Sequence, residues 1–366
     1  MDFTFTSEQE MLRSGLARLL SQTCSFDQRQ ARLRAGRGHD ADVWRQFADM
    51  GLLALPFSEA EGGLGGGASD VVAIGELLGR HLVVEPYVGS ILLGGKALAL
   101  AGERAGALLG TVIAGEAVAA LAHEERHGIG PLAMLGTTLS ESSGTLRLDG
   151  DKRMVLDGAE AQVLVVSARQ GDRLVLVQVD PAAAGVSITG YTTIDGRRAA
   201  NLRFAGVSID PAAVLLDNAE AALDGVIALA TLALCAEAVG AMGALLEASS
   251  TYGATRKQFG VPIASFQAIA HRLADMKIAW AKANALLLHT TALVEAGKGG
   301  AREIALLKAQ AGRLGRSLGE SAVQVHGGIG MTDELNVGHY HKRILAIEAM
   351  LGSTDYHLRR VGAAAA

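Results

Sequence analysis

Only two residues in this 366-residue chain are cysteine, and its 33 Lys+Arg do not outnumber its 38 Asp+Glu. Cys24 and Cys235 stand far apart at no metal-ligand spacing, which excludes a disulfide scaffold and a zinc site. A net charge of −5 lacks the basic field that non-specific nucleic-acid binding needs. Charged residues make up 19% against 49% hydrophobic, a folding composition that excludes wholesale disorder. Neither a P-loop nor a Gly-x-Ser-x-Gly elbow occurs. The opening MDFTFTSEQE carries Asp2, Glu8 and Glu10 and no apolar core, so no signal peptide is expected. The expectation is a reduced, cytoplasmic protein of two or three domains at roughly 150 residues each.

Mean hydropathy is +0.27, and one apolar run requires a membrane test. Gly225 to Leu246 is long enough to span a bilayer at about 20 residues. Glu237 sits in its centre, where a charge costs about 3 kcal/mol in lipid. Ala230, Ala233, Gly240 and Ala244 crowd one side, as in helices packed closely within a protein. A buried core helix with no membrane span is expected.

Along the chain, Thr6 with Gln9 and Ser7 with Glu10 each offer a capping box, followed by a helical stripe of Leu12, Leu16, Leu19 and Leu20. Asp40 or Asp42 opens a second helix through Trp44 and Phe47, with Gly51 suited to its C-terminal cap. Glu61 to Gly67 is glycine-rich, but no strand precedes it and no GKS/T follows, so a flexible loop is expected, with a helix over Ser69 to Leu82. Strand patterns then appear at Thr145 to Asp149, Gln162 to Ser167, Leu174 to Val179, Val186 to Ile194 and Ala199 to Ile209. Glu141 to Gly144 and Asp149-Gly-Asp151 read as turns between them. Long helical segments follow over Asn218 to Tyr252, Ser265 to Glu295, Arg302 to Val325 and Asp333 to Met350. The expected fold is α+β: an α-helical domain over 1–116, a middle antiparallel β domain over 117–216 and a C-terminal four-helix bundle over 217–366.

Two stretches carry chemistry as well as architecture: Tyr252-Gly-Ala-Thr-Arg-Lys-Gln-Phe-Gly-Val-Pro-Ile263 with Ser265-Phe-Gln267, and Gln324-Val-His-Gly-Gly-Ile-Gly-Met331. Arg256 is a fork of donors suited to a pyrophosphate, Gln258 and Gln267 can donate to phosphate or adenine edges, and Phe259 offers an aromatic face. Gly327 and Gly328 let a backbone approach closely. A structural reading is also open, with Arg256 as a cap or ion pair and GGIG as a helix crossing. With the α–β–α order, TSEQEML, and Gly51-Leu-Leu-Ala-Leu-Pro56 through EGGLGG, these motifs resemble the acyl-CoA dehydrogenase family over essentially the whole chain. The resemblance implies FAD as cofactor, an acyl-CoA substrate and an acceptor such as electron-transfer flavoprotein. It also implies that Arg256, Gln258, Phe259, Ile263, Gln267, Gln324, Gly327 and Gly328 reach across an interface to the FAD held mainly by a neighbouring chain.

The family's carboxylate base is absent from both of its positions. In most members it lies 24 residues after the first glycine of GGxG, which here is Leu351, followed by Gly352. In a minority it lies 22 residues before the motif tyrosine, which here is Ala230. The family's Thr-Glu-Pro…Gly-Ser-Asp reads His123-Glu-Glu-Arg-His-Gly-Ile-Gly-Pro131, and its Trp-Ile-Thr/Ser-Asn-Gly reads Met154-Val-Leu-Asp-Gly158. Groups that grip a chain's own flavin are therefore missing, while those that reach a neighbour's remain. The pattern is similar to the small subunit of heteromeric bacterial acyl-CoA dehydrogenases of the pimeloyl-CoA and steroid side-chain type. Two alternatives are a self-sufficient homo-oligomer with a relocated base, at Glu237 or Glu348, and a non-catalytic scaffold subunit. The pairs His339/His341 and His123/His127 lack the geometry or the third ligand of a metal site, and none is expected.

Overall fold

The computed structural model describes residues 5–36, 38–125, 135–142 and 144–363. Helix α1 (Ser7–Thr23) starts as its sequence requires: Gln9 N–H donates to Thr6 Oγ1 and Thr6 N–H to Gln9 Oε1, closing the capping box. Helix α2 (Phe26–Arg34) was not foreseen, because its nine residues are mostly polar. Helix α3 (Ala41–Asp49) is capped by Asp40, whose Oδ1 accepts from Asp42 N and Val43 N. Gly51, at φ +76°, ends it with N–H bonds from Gly51 to Ala48 O and from Leu52 to Phe47 O. The glycine loop that follows is pinned rather than free, since Leu64, Gly65 and Gly66 donate to the carbonyls of Ala54, Phe57 and Leu55. Next come α4 (Ala68–Arg80), a nine-residue buried π-helix (Tyr87–Gly95), α5 (Lys96–Ala99) and α6 (Gly106–Ile113).

Eight strands form one sheet: β1 (Ala119–Ala122), β2 (Thr138–Ser142), β3 (Thr145–Leu156), β4 (Val163–Gln170), β5 (Arg173–Val179), β6 (Val186–Thr192), β7 (Arg198–Ile209) and β8 (Val214–Asp217). Their order is β6-β7-β3-β2-β4-β5-β8, with β1 against β4. The sheet is mixed and not purely antiparallel, because β1 and β2 both pair in parallel with β4. Alternation identifies a strand but carries no direction, which the connections decide. Asp149-Gly-Asp151 is not a turn. The β3–β7 register shifts between Leu148 and Gly150, and Gly150 adopts φ +146° where a Cβ would meet Thr137, so the glycine serves a bulge within β3.

Five helices complete the chain: α7 (Glu220–Thr255), α8 (Gln267–Glu295), α9 (Ala301–His326), α10 (Asn336–Ala349) and α11 (Thr354–Ala363), with a hairpin of β9 (Lys257–Gln258) and β10 (Val261–Pro262) between α7 and α8. Packing divides into two compact units. Arg32–Gly67 and Val84–Ala230 form the unit holding the sheet, whose core includes Leu148, Leu164, Val177 and Phe204. Met1–Ala31, Ala68–Val83 and Thr231–Ala366 form the helical unit, whose core includes Leu232, Met242, Met276, Leu307 and Ile344.

Within the helical unit α4 and α7 cross in near backbone contact. A Cβ on Gly240 would fall on the Glu76 carbonyl, and one on Gly79 on the Glu237 carbonyl. The small residues of α7 thus serve a close helix crossing, and 78% of its most apolar window is buried inside the protein.

Candidate functional site

The first stretch expected to face FAD is built from the end of α7 and the hairpin that follows it. The ladder runs Gln258 to Val261 and Lys257 to Pro262, and Ile263 N–H donates to Arg256 O. Between the strands Phe259 and Gly260 adopt φ +51° and +83°, the double left-handed geometry of a type I′ turn. Asparagine or glycine normally fills the first position; a bulky aromatic there is strained. Phe259 is 93% exposed, touching Phe266 edge-on at 6.2 Å. Arg256, Gln258, Gln267 and Gln324 are exposed, and among the described residues their side chains bond to nothing. Arg256 is therefore neither a cap nor an ion-pair partner here.

The second stretch closes α9. Gly327 takes φ +66° as its C-cap, a conformation that L side chains avoid, and a short 3₁₀ turn follows over Gly327–Met331. A Cβ on Gly327 or Gly328 would meet no atom of the described residues within 4 Å, so a helix crossing among them does not call for these glycines. Ile329 and Met331 are exposed beside them. The two stretches are joined by Tyr252 and His326, whose rings stack at 4.4 Å and 26°. All eight residues expected to face FAD thus lie in the helical unit, Ile263 being half-buried and the other seven exposed. Donors without partners, an aromatic face and open backbone at two glycines fit a pyrophosphate-containing dinucleotide approaching from outside the chain.

Both positions expected for a base are buried and aliphatic. Ala230 is inaccessible, and Leu351 is 6% exposed with φ +52°. The Leu351 turn is held by two residues, Lys308 and His357, to which the sequence assigned no such role. Lys308 Nζ donates to the carbonyls of Glu348 (3.0 Å) and Gly352 (2.8 Å), and His357 Nε2–H donates to Leu351 O (2.9 Å). Lys308 carried a signal: it lies in the same helical stripe as Ile304, Ala311 and Gly315, all buried. Burial, then the Lys308 charge, brings the His357 imidazole down to about 4.

Neither candidate for a relocated base stands free. Glu237 forms a bidentate pair with Arg343, Oε1 to Nε at 2.8 Å and Oε2 to Nη2 at 2.7 Å, with the residues 1% and 2% exposed. Glu348 accepts from Thr354 N and lies 3.4 Å from Arg316. Burial pushes its carboxyl up, but Thr354, Arg316 and Lys308 outweigh this and hold it below the usual carboxylate range.

In the sheet unit, Lys152 is fully buried and donates to Glu125 Oε1 (2.9 Å), Ser167 Oγ (3.2 Å) and the His123 carbonyl. Burial lowers Lys152 to about 8, against the pull of Glu125, and lowers His123 to about 4. Met154 and Asp157, in the stretch expected to correspond to the family's Trp-Ile-Thr/Ser-Asn-Gly, stand at φ +51° and +58°. Residues 126–134, with His127, lie outside the described residues. His339 is engaged by Arg29 and Gln30, and no group of three metal-binding side chains occurs among the described residues.

Residues 220–366 match the acyl-CoA dehydrogenase C-terminal domain, and residues 6–105 match the N-terminal domain. Acyl-CoA dehydrogenase FadE27 of Mycobacterium tuberculosis is 27% identical, covering 99% of this chain and 98% of its own. The crystal structure of the ChsE4–ChsE5 complex from the same organism superposes with a TM-score of 0.90 at 27% identity, over 99% of this chain and 98% of that one. The Tcur3481–Tcur3483 steroid ACAD gives 0.86 at 28% identity, over 98% and 99%. Domain matches at both ends of the chain, full-length relatives and one shared fold lead to a single assignment: the chain belongs to the acyl-CoA dehydrogenase family.

Proposed function

We propose that this chain is the base-lacking subunit of a heteromeric acyl-CoA dehydrogenase, and that it completes the FAD site of a partner subunit carrying the catalytic carboxylate. The observation behind this reading is a division within the site. The groups suited to a neighbour's dinucleotide are presented outward and unpartnered, whereas both positions for a base are buried leucine or alanine. The ChsE4–ChsE5 complex, an assembly of two named chains, supports the heteromer. The bidentate Glu237–Arg343 pair counts against a relocated base at Glu237, and the bonds to Glu348 count against one there.

The chemistry that FAD supplies when bound is acceptance of the hydride leaving the β-carbon of an acyl-CoA. The residues of this chain bind and orient. The Arg256 fork neutralises pyrophosphate charge; Gln258, Gln267 and Gln324 donate to phosphate or adenine edges; Phe259 covers an aromatic surface. Gly327 and Gly328 leave their amides reachable, and Ile263 backs the hairpin. With no proton acceptor at 230 or 351, the α-proton goes to the partner's base, and the electrons leave through an acceptor such as electron-transfer flavoprotein.

The test is flavin stoichiometry by visible absorbance, for the chain purified alone and then mixed with a candidate partner from a neighbouring gene. Little flavin alone, rising on mixing to one per pair of chains, is the expected result. One flavin per chain in the isolated protein, bleached by an acyl-CoA, would sink the proposal.

A further inference from the structure

The two stretches that present the cofactor-facing groups are separated by more than fifty residues, yet their donors must keep one fixed spacing to grip one ligand. Neither stretch sets that spacing by itself. The hairpin hangs from the end of α7 through Arg256 N–H to Tyr252 O (2.8 Å), and among the described residues the side chains of Arg256 and Gln258 form no hydrogen bond. The glycine turn hangs from the end of α9, with open space around Gly327 and Gly328.

The rings of Tyr252 and His326 close this gap. Tyr252 lies one helical turn before Arg256, and His326 immediately precedes Gly327. They stack nearly parallel at 4.4 Å, inside the range of a favourable aromatic pair. His326 is fixed on three sides: Nδ1–H donates to Ala322 O (2.9 Å), the tyrosine covers its face, and a Cβ on Gly330 would already press on its own Cβ at 3.0 Å. It is 6% exposed, against the open glycines that follow it. Both rings line the wall of a groove of about 590 Å³ running between α7 and the start of α10, and none of the eight residues expected to face FAD lines it.

We propose that Tyr252 and His326 are a positioning pair: their stack sets the register between the Arg256 hairpin and the Gly327–Gly328 turn, and so the grip on the partner's flavin, without either ring touching it. The inference rests on the shared-site function proposed above.

The test uses the chain assembled with its partner. Tyr252→Leu keeps the apolar body and removes the π-face, and His326→Leu does the same on the other side; each is expected to speed flavin dissociation about tenfold. Tyr252→Phe keeps the stack and is expected to match the wild type. The double leucine variant is expected to lose no more than either single one, because the pair acts as a unit. Assembly and thermal midpoint, read on the same samples, should stay near wild type for Tyr252→Leu. Its comparison with Tyr252→Phe decides the matter even where His326→Leu fails to fold. Unchanged dissociation in Tyr252→Leu, or additive losses in the double variant, would overturn the positioning role while leaving the shared site standing. A wild-type assembly that holds no flavin would overturn the shared site and this inference with it.

Discussion

Glu237 and Arg343 separate a structural carboxylate from a catalytic one. Both residues are almost fully buried and meet through two hydrogen bonds of 2.8 and 2.7 Å. Replacing Glu237 by Gln removes the charge and keeps the shape, so the buried Arg343 guanidinium loses its bidentate carboxylate partner in the helical core. Breaking a buried pair from one side costs about 3–5 kcal/mol, whereas replacing both members by apolar or neutral groups of similar volume is close to neutral. Glu237→Gln should therefore lower the urea midpoint of unfolding by about 1–2 M, given a slope near 3 kcal/mol per molar. Glu237→Gln combined with Arg343→Met should recover most of that loss. Turnover by the assembled enzyme, corrected for folded protein, should be unchanged in both. A Glu237→Gln protein as stable as wild type but without turnover would refute the reasoning and return Glu237 to the role of base. A double variant as unstable as the single one would show that the charge pair is not the source of the cost.

Arg256→Ala should weaken flavin retention in the assembled enzyme about 10–100-fold, the loss of charge-assisted hydrogen bonds, and leave the thermal midpoint of the isolated chain unchanged because the side chain is exposed and unbonded. Gly240→Ala should destabilise: alanine gains about 1 kcal/mol of helix propensity, but its Cβ would strike the Glu76 backbone, and overpacking costs about 3 kcal/mol, so a lower urea midpoint is expected. His357 takes its proton at about 4 in the folded chain, through burial and Lys308, and near the ordinary 6.5 when unfolded. The unfolded state therefore binds the extra proton first, and stability should fall by about 2–3 kcal/mol as pH drops from about 6.5 to about 4. His357→Gln should flatten that part of the urea-midpoint profile; a profile of the same slope in both proteins would contradict the assignment.

Elements were legible in the sequence where a local interaction fixes them. Thr6 with Gln9, Asp40 and Gly51 each mark a helix end by a bond the structure contains, and the apolar stripes place α1, α4 and the long helices to within a few residues. What escaped depends on distant partners. Helix α2 holds few apolar residues and is secured by Arg29, which is buried and donates to Leu82 O and toward His339. Strands β1 and β8 are four residues each, too short for a period to show. The parallel pairing of β1 with β4, and the bulge at Gly150, follow from where the neighbouring strands run, which no local pattern encodes.

The candidate site divides along the same line. Its residue types were readable as motifs, but whether Arg256 points into the bundle or out of it is a matter of packing, and the structure resolves it by exposure. The hairpin carries the argument further. A phenylalanine in the left-handed conformation bears strain of about 1–3 kcal/mol, and its exposed ring leaves apolar surface in water at about 25 cal/mol per Å². Among the described residues the ring contact to Phe259 is that of Phe266, edge-on at 6.2 Å, which offsets little of either cost. A surface covering the ring would recover the exposure cost, though not the backbone strain. The same holds for the open backbone at Gly327 and Gly328, whose glycines fill no packing need inside the subunit. These costly residues lie in the same two stretches as the exposed Arg256, Gln258 and Gln324, which is what the shared-site function proposed above requires. The buried leucine and alanine at the two positions expected for a base agree with the shared-site function proposed above, in which this chain supplies a grip and a partner takes the proton.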